Sequence, residues 1–252
     1  MINPMEQSNS VVMVTGASSG IGQSTCQLLN QLGATIILVG RNQETLKITR
    51  DTLDGKNHVI SIFDFSKINS IEPWFENIIQ QTGPLSGIVH CAGEQLLQPL
   101  KIVKTEDIER LMNVNVASGL VLAKAFRQRP AHTQNASIVY LASVMGCVGS
   151  GGRSTYSATK GAVIAMTKSL ALELVRDKIR VNCIAPAFVK TAMFEQTKKM
   201  VGDSVMNEVE KLHPLGFGEP IDVANSIAFL LSQASRWITG TTLFVDGGYT
   251  AQ

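Results

Sequence analysis

Short apolar runs alternate along the chain with longer amphipathic ones. The apolar runs predict seven strands, over residues 11–15, 35–39, 58–62, 87–90, 137–141, 179–184 and 242–245. The amphipathic runs predict helices over 21–32, 42–53, 68–81, 106–127, 156–176 and 221–231. In the first of these Ile21, Cys26, Leu28, Leu29 and Leu32 make the apolar side, and Gly33 ends it. Strands that are apolar on both faces and spaced by helices require a parallel sheet covered on both sides. Right-handed crossovers then give an α/β fold with a doubly wound sheet. No repeat, low-complexity stretch or linker divides the 252 residues, so a single domain over 1–252 is expected. The least regular part is 190–220. It is polar, contains Lys198 and Lys199, and ends Pro214-Leu215-Gly216-Phe217-Gly218-Glu219-Pro220. An excursion of that length between a strand and the last helix is expected to act as a substrate lid.

Composition removes several classes. Apolar residues at 44% and charged residues at 17% exclude a disordered chain. The net charge of +2 is too balanced for a dedicated nucleic-acid binder. The start, Met1-Ile2-Asn3-Pro4, lacks the features of a signal peptide, and no run reaches the length of a membrane span. Cys26, Cys91, Cys147 and Cys183 are too scattered for a CxxC or a zinc site, which points to free thiols in a reducing, cytoplasmic setting and to no metal.

Two clusters carry chemistry. Thr15-Gly16-Ala17-Ser18-Ser19-Gly20-Ile21-Gly22 follows a strand and opens a helix. Glycines there let the backbone approach a phosphate, which the free N–H groups of the helix start then bind. The next strand ends Gly40-Arg41-Asn42, with no acid for a ribose 2′-hydroxyl and with Arg41 able to fork onto a 2′-phosphate. NADP(H) is therefore expected over NAD(H). The second cluster is Tyr156-Ser157-Ala158-Thr159-Lys160, which puts Tyr156 and Lys160 on one helix face. A lysine ammonium about 5 Å from the phenol, at an effective dielectric of about 20, favours tyrosinate by about 3 kcal/mol. That brings the hydroxyl about two pH units closer to neutrality, where it can serve as an acid. Ser143 ends the fifth strand, at the edge where ligands bind in doubly wound sheets. Asn115 sits inside an apolar helix, where a buried polar role is expected.

Taken together, these residues resemble the short-chain dehydrogenase/reductase family, from about Val11 to Gly248, with a Rossmann-type sheet. Among its members the chain is similar to 3-oxoacyl-(acyl-carrier-protein) reductases. The resemblance implies Tyr156 as general acid, Lys160 as its partner and holder of the nicotinamide ribose, and Ser143 as the group polarising the carbonyl. It implies Asn115 as holder of a water that links Lys160 to solvent. Gly16, Ser18, Ser19, Gly20, Ile21 and Gly22 would bind the pyrophosphate, and Asp64, with Phe65 beside it, the adenine. Cys91, Ala92 and Gly93 would lie by the ribose, and Pro186, Ala187, Val189 and Thr191 by the carboxamide. The chain departs from the family pattern at Cys91 (usually Asn), Ser19 (often basic), Ala187 (usually Gly) and Phe217 (usually Arg).

The resemblance also implies a small carbonyl or acyl-thioester substrate, with acyl carrier protein as a partner docked on Arg127, Arg129, Arg176 and Lys178. Another ketone, such as a keto-sugar or a steroid-like compound, is the second reading, and a non-catalytic NADP(H)-binding sensor the third. Neither nucleic acid nor membrane is expected as a partner. A homo-oligomer, tetramer or dimer, is expected through the helices carrying Leu120, Leu122, Ala162, Met166 and Leu170.

Overall fold

The computed structural model describes residues 3–251. Its strands are β1 (Val11–Thr15), β2 (Thr35–Gly40), β3 (Val59–Ile62), β4 (Leu85–His90), β5 (His132–Leu141), β6 (Arg180–Pro186) and β7 (Thr242–Val245). They form one parallel sheet in the order β3-β2-β1-β4-β5-β6-β7. The order reverses at β1, so the crevice between the β1 and β4 carboxyl ends is the expected ligand site.

Alternation along each strand feeds two cores. Met13, Ile37, Ile138 and Tyr140 point to one face, and Val12, Val14, Ile36, Leu38 and Val139 to the other. The first face is covered by α3 (Ile71–Thr82), α5 (Ser118–Arg127) and α6 (Ser154–Leu174). The second is covered by α1 (Gly20–Gln31), α2 (Gln43–Asp51) and α9 (Pro220–Leu231), with α1 packed on α9.

The helix expected over 106–127 is broken. α4 (Thr105–Met112) and α5 are joined by a π-helical turn over Asn113–Ala117. Such a turn releases backbone groups from the ordinary ladder and is frequent at functional sites. Residues 190–220 contain two helices, α7 (Ala192–Val201) and α8 (Asp203–Lys211). The ends of this excursion meet. Val189 and Gly218 form a parallel bridge, Lys190 N–H donates to Gly218 O at 2.9 Å, and Lys190 pairs with Glu219 at 2.7 Å.

Arg180 secures the far end of α9. Its guanidinium donates to Leu230 O (2.8 Å), Leu231 O (3.3 Å), Ser232 O (3.2 Å) and Ile238 O (3.4 Å). The first three are carbonyls that the end of α9 cannot satisfy itself. Arg180→Met is expected to cost about 2–3 kcal/mol and to lower the thermal midpoint by about 4–10 °C. A midpoint unchanged in a thermal melt would remove this role from Arg180.

The expected pairing residues divide on exposure. Leu122, Met166 and Leu170 are buried within the chain's own core, so they cannot also face a second copy. Leu120 and Leu172 are the exposed large apolar residues on α5 and α6.

Candidate active site

The β1–α1 turn is set by two glycines in the left-handed region, Gly16 (φ 66°) and Gly20 (φ 53°). A Cβ on Gly22 would stand 2.2 Å from Gly16 O, so the turn closes only around a bare α-carbon. Ser19 precedes α1 without capping it by its side chain. The first N–H groups of α1 therefore keep their donor capacity toward the cleft, as an anion site requires.

The turn is tied inward through a residue the sequence reading passed over. Thr15 Oγ1 accepts from Ala92 N–H at 2.9 Å and donates to His90 Nδ1 at 3.0 Å. His90 Nε2–H donates to Ser118 Oγ at 3.0 Å, and Ser118 donates to Val114 O at 2.6 Å in the π turn. Burial, assisted by the Lys160 charge, pushes His90 down to about 3, so this chain of bonds runs through a neutral imidazole.

Ser18, Ser19, Ile21, Arg41, Asp64, Phe65, Cys91, Ala92 and Gly93 line one groove with the glycine turn. Asp64 accepts from Ser66 N–H at 3.0 Å, and that bond holds its carboxyl below the usual range. The Phe65 ring is buried edge-on to His90 and Trp74. Cys91 takes the position of the expected amide, and burial pushes its thiol up to about 12, so it is a neutral filler. Arg41 is held in an ion pair. Its Nη1 lies 3.2 Å from Glu94, which also binds Arg110. Glu94 is 53 residues away, and nothing in the sequence paired the two.

The groove runs into a second cleft lined by Ser143, Tyr156 and Lys160 together with Pro186, Ala187, Val189 and Thr191. Lys160 is buried, donates to Leu141 O at 2.8 Å and sits 5.6 Å from the Tyr156 ring centre. Burial pushes Lys160 down to about 8. The electrostatics differ from the sequence argument. Burial pushes the Tyr156 hydroxyl up, and the groups opposing it are Ser143 and Arg153. The assumed lysine effect treated the phenol as solvated; taking it out of water costs the anion more. Ser143 accepts from Met145 N–H at 3.2 Å and donates to Pro186 O at 3.4 Å.

Asn115 lies behind this surface. Its amide accepts from Glu94 N–H (2.8 Å) and donates to Glu94 O (2.9 Å) and Thr159 Oγ1 (3.0 Å). It binds both the backbone N–H and the backbone C=O of Glu94 and fixes the strand-end loop that carries Gly93 and Glu94. Thr191 caps α7 through Phe194 N–H and packs close to Gly20.

The basic residues expected to dock a carrier protein sit at the end of the sheet opposite the cleft. Arg127 and Arg129 precede β5, and Arg176 and Lys178 precede β6, at the amino ends of the strands and away from the cleft. Arg127 is paired with Asp177 at 2.8 Å.

A family model described as enoyl-(acyl carrier protein) reductase matches residues 16–250. The chain is 37% identical over 239 residues to a mouse 3-oxoacyl-[acyl-carrier-protein] reductase, covering 94% of this chain and 97% of that one. The chain belongs to the short-chain dehydrogenase/reductase family. Another relative in the family, a Thermotoga maritima 3-oxoacyl-[acyl-carrier-protein] reductase, is 34% identical over 250 residues, covering 97% of this chain and 99% of that one. A putative short-chain alcohol dehydrogenase from Sinorhizobium meliloti superposes with a TM-score of 0.93 at 29% identity, covering 99% and 100% of the two chains. A putative 2-deoxy-d-gluconate 3-dehydrogenase from Agrobacterium tumefaciens with bound NADP gives 0.88 at 27%, over 100% of both. Family membership makes this chain an oxidoreductase that uses a nicotinamide dinucleotide. The residues of the groove fit that group: a glycine turn, an uncapped helix start and a continuous path to Tyr156. Among the described residues no helix is long and apolar enough to cross a membrane, and no cluster of three or more His, Cys, Asp or Glu is placed to hold a metal.

Proposed function

We propose that the protein is a cytoplasmic NADP(H)-dependent reductase of a 3-oxoacyl group, working as a single unit over residues 1–252 with 190–220 as the lid and assembling as a homo-oligomer. The observation that carries this reading is the convergence of Ser143, Tyr156 and Lys160 in a cleft continuous with the glycine-turn groove. The 3-oxoacyl class is supported by the relatives at about 35% identity. When bound, the reduced nicotinamide supplies a hydride. The chain's own residues do the rest. Gly16 and 18–22 hold the pyrophosphate, Asp64 the adenine, and Val189 and Thr191 the carboxamide. Ser143 turns its one O–H from Pro186 O, 3.4 Å away, to the ketone oxygen and orients it. Tyr156 Oη gives that oxygen its proton. Lys160 holds the ribose and, while charged, favours the phenolate left behind. Asn115 keeps Gly93 and Glu94 in place beside Lys160.

NADP(H) preference is assigned to Arg41, whose partner Glu94 holds it at the groove. Arg41→Ala is expected to raise the KM for NADPH about 30-fold while leaving that for NADH within about 3-fold, the size of one charge-assisted contact. The assay is consumption of NADPH and of NADH with an acetoacetyl thioester. Equal losses for both cofactors, or a wild-type preference for NADH, would take the 2′-phosphate away from Arg41.

A further inference from the structure

Arg153 immediately precedes α6, three residues before Tyr156. It is 7% exposed, yet it lines the same cleft as Ser143 and Tyr156. Its Cζ stands 5.7 Å from the centre of the Phe188 ring. Its one side-chain hydrogen bond is a long one, from Nη1 to Gln95 Oε1 at 3.5 Å. Among the described residues no carboxylate pairs with it. Glu94, the acidic group on the same cleft, is committed to Arg41 and Arg110. A guanidinium has five N–H donors. Burying it unpaired is costly, and a site that keeps one free does so for an anion.

We propose that Arg153 is the anion-recognition residue of the substrate cleft, and that the ketone reduced here carries a carboxylate: a short 3-oxo acid. This deepens the 3-oxoacyl reading above and rests on it, replacing the neutral thioester by the free acid. Arg153 and Tyr156 line the same cleft, and the Arg153 charge opposes the rise of the Tyr156 hydroxyl, so a ketone held at the phenol brings a carboxylate one carbon away toward the guanidinium. A planar carboxylate can take two parallel guanidinium bonds. A neutral thioester offers no such pairing and leaves the buried charge uncompensated. Val144, Met145, Phe188 and Phe194 supply an apolar part of the wall that suits a short alkyl end. Gln95 joins the recognition to the excursion above it, because its Nε2 donates to Thr197 Oγ1 (3.1 Å) and Met193 O (3.3 Å) on α7. The reaction balances as follows: the ketone carbon gains a hydride from the reduced nicotinamide, its oxygen gains the Tyr156 proton, solvent reprotonates Tyr156, and the carboxylate is unchanged.

The test compares acetoacetate, methyl acetoacetate and acetoacetyl-N-acetylcysteamine as substrates with NADPH, for the wild type, Arg153→Gln and Arg153→Lys. The wild type is expected to favour the acid over the ester and the thioester at least 10-fold in kcat/KM. Arg153→Gln is expected to lose about 100-fold on the acid and at least 10-fold less than that on the ester, where only its effect on Tyr156 is felt, with Arg153→Lys in between. Equal reduction of the acid and the neutral substrates by the wild type overturns the proposal. So does an equal loss on acid and ester in Arg153→Gln, which would mark a purely structural role through Phe188. Calorimetric titration of the NADP-loaded protein with 3-hydroxybutyrate and its methyl ester gives a second readout. If no 3-oxo compound is turned over, the 3-oxoacyl reading fails. Acid binding weakened at least 10-fold in Arg153→Gln would then still support the anion site, and unchanged binding would overturn it. Should Arg153→Gln not fold, the same comparison on Arg153→Lys decides.

Discussion

Tyr156→Phe is expected to lower the rate of ketone reduction by about 10³-fold while NADPH affinity changes less than about 3-fold. The substitution removes one oxygen from a ring whose neighbours, Ser143, Lys160 and Arg153, remain. Loss of rate without loss of binding is the mark of a group that acts in the transition state. The pH profile adds a sign. Burial keeps the Tyr156 proton on at neutral pH, so the acid form is in place for reduction. Lys160, pushed down to about 8, is cationic below that pH and neutral above it. The cation favours the phenolate formed as the proton leaves, so reduction is expected to decline as pH rises through about 8. Lys160→Met is expected to abolish that descending limb along with most of the rate. Stopped-flow reduction from pH 6 to 10, with NADPH binding followed by fluorescence, checks both. A Tyr156→Phe enzyme within 10-fold of the wild type would remove the proton from Tyr156.

Gly22→Ala is expected to have the second largest effect. Its Cβ would stand 2.2 Å from Gly16 O and 2.8 Å from Gly16 C, both backbone atoms of a turn fixed by Thr15, His90 and Ala92. There is no flexible side chain to give way, so either α1 shifts or the turn opens. Overpacking of that kind costs about 2–3 kcal/mol, which corresponds to about 5–10 °C in thermal midpoint for a chain of this size. Displacing the helix start also misaligns its N–H groups, so NADPH affinity is expected to fall about 100-fold or more. A melt and a fluorescence titration measure the two effects. A variant that matched the wild type in both would show that the turn does not cradle the pyrophosphate.

The sheet could be read from the sequence because buried parallel strands are apolar on both faces, and every predicted strand has a counterpart within a few residues. β5 begins earlier than expected because His132 pairs with Leu85 ahead of a register shift, with Asn135 in the left-handed region between them. The break in the helix over 106–127 left no glycine or proline signal. It arises from tertiary bonds, Asn115 to Glu94 and Ser118 to His90, that local pattern does not carry. The candidate site divides the same way. Tyr156 and Lys160 announce themselves by spacing along one helix. Glu94, His90 and Arg153 act through partners far away in sequence, or through the partner they lack, and only the folded arrangement brings them to notice. Arg153 in particular follows a glycine-rich stretch and carries no local pattern that marks it as buried.

The bridge between Val189 and Gly218 has a mechanical consequence. Because both ends of the excursion are fastened to each other, with Gly218 N–H also bonded to Phe188 O at 3.0 Å, the intervening chain is a tethered flap. In the proposed lid role it pivots about that seam and does not peel away from one end. A single protease cut between α7 and α8 would therefore leave both halves anchored, one through β6 and the other through α9. A lid built in this way opens by rotation about one line, and the ordering entropy of each closure is that of a hinge rather than of the whole segment.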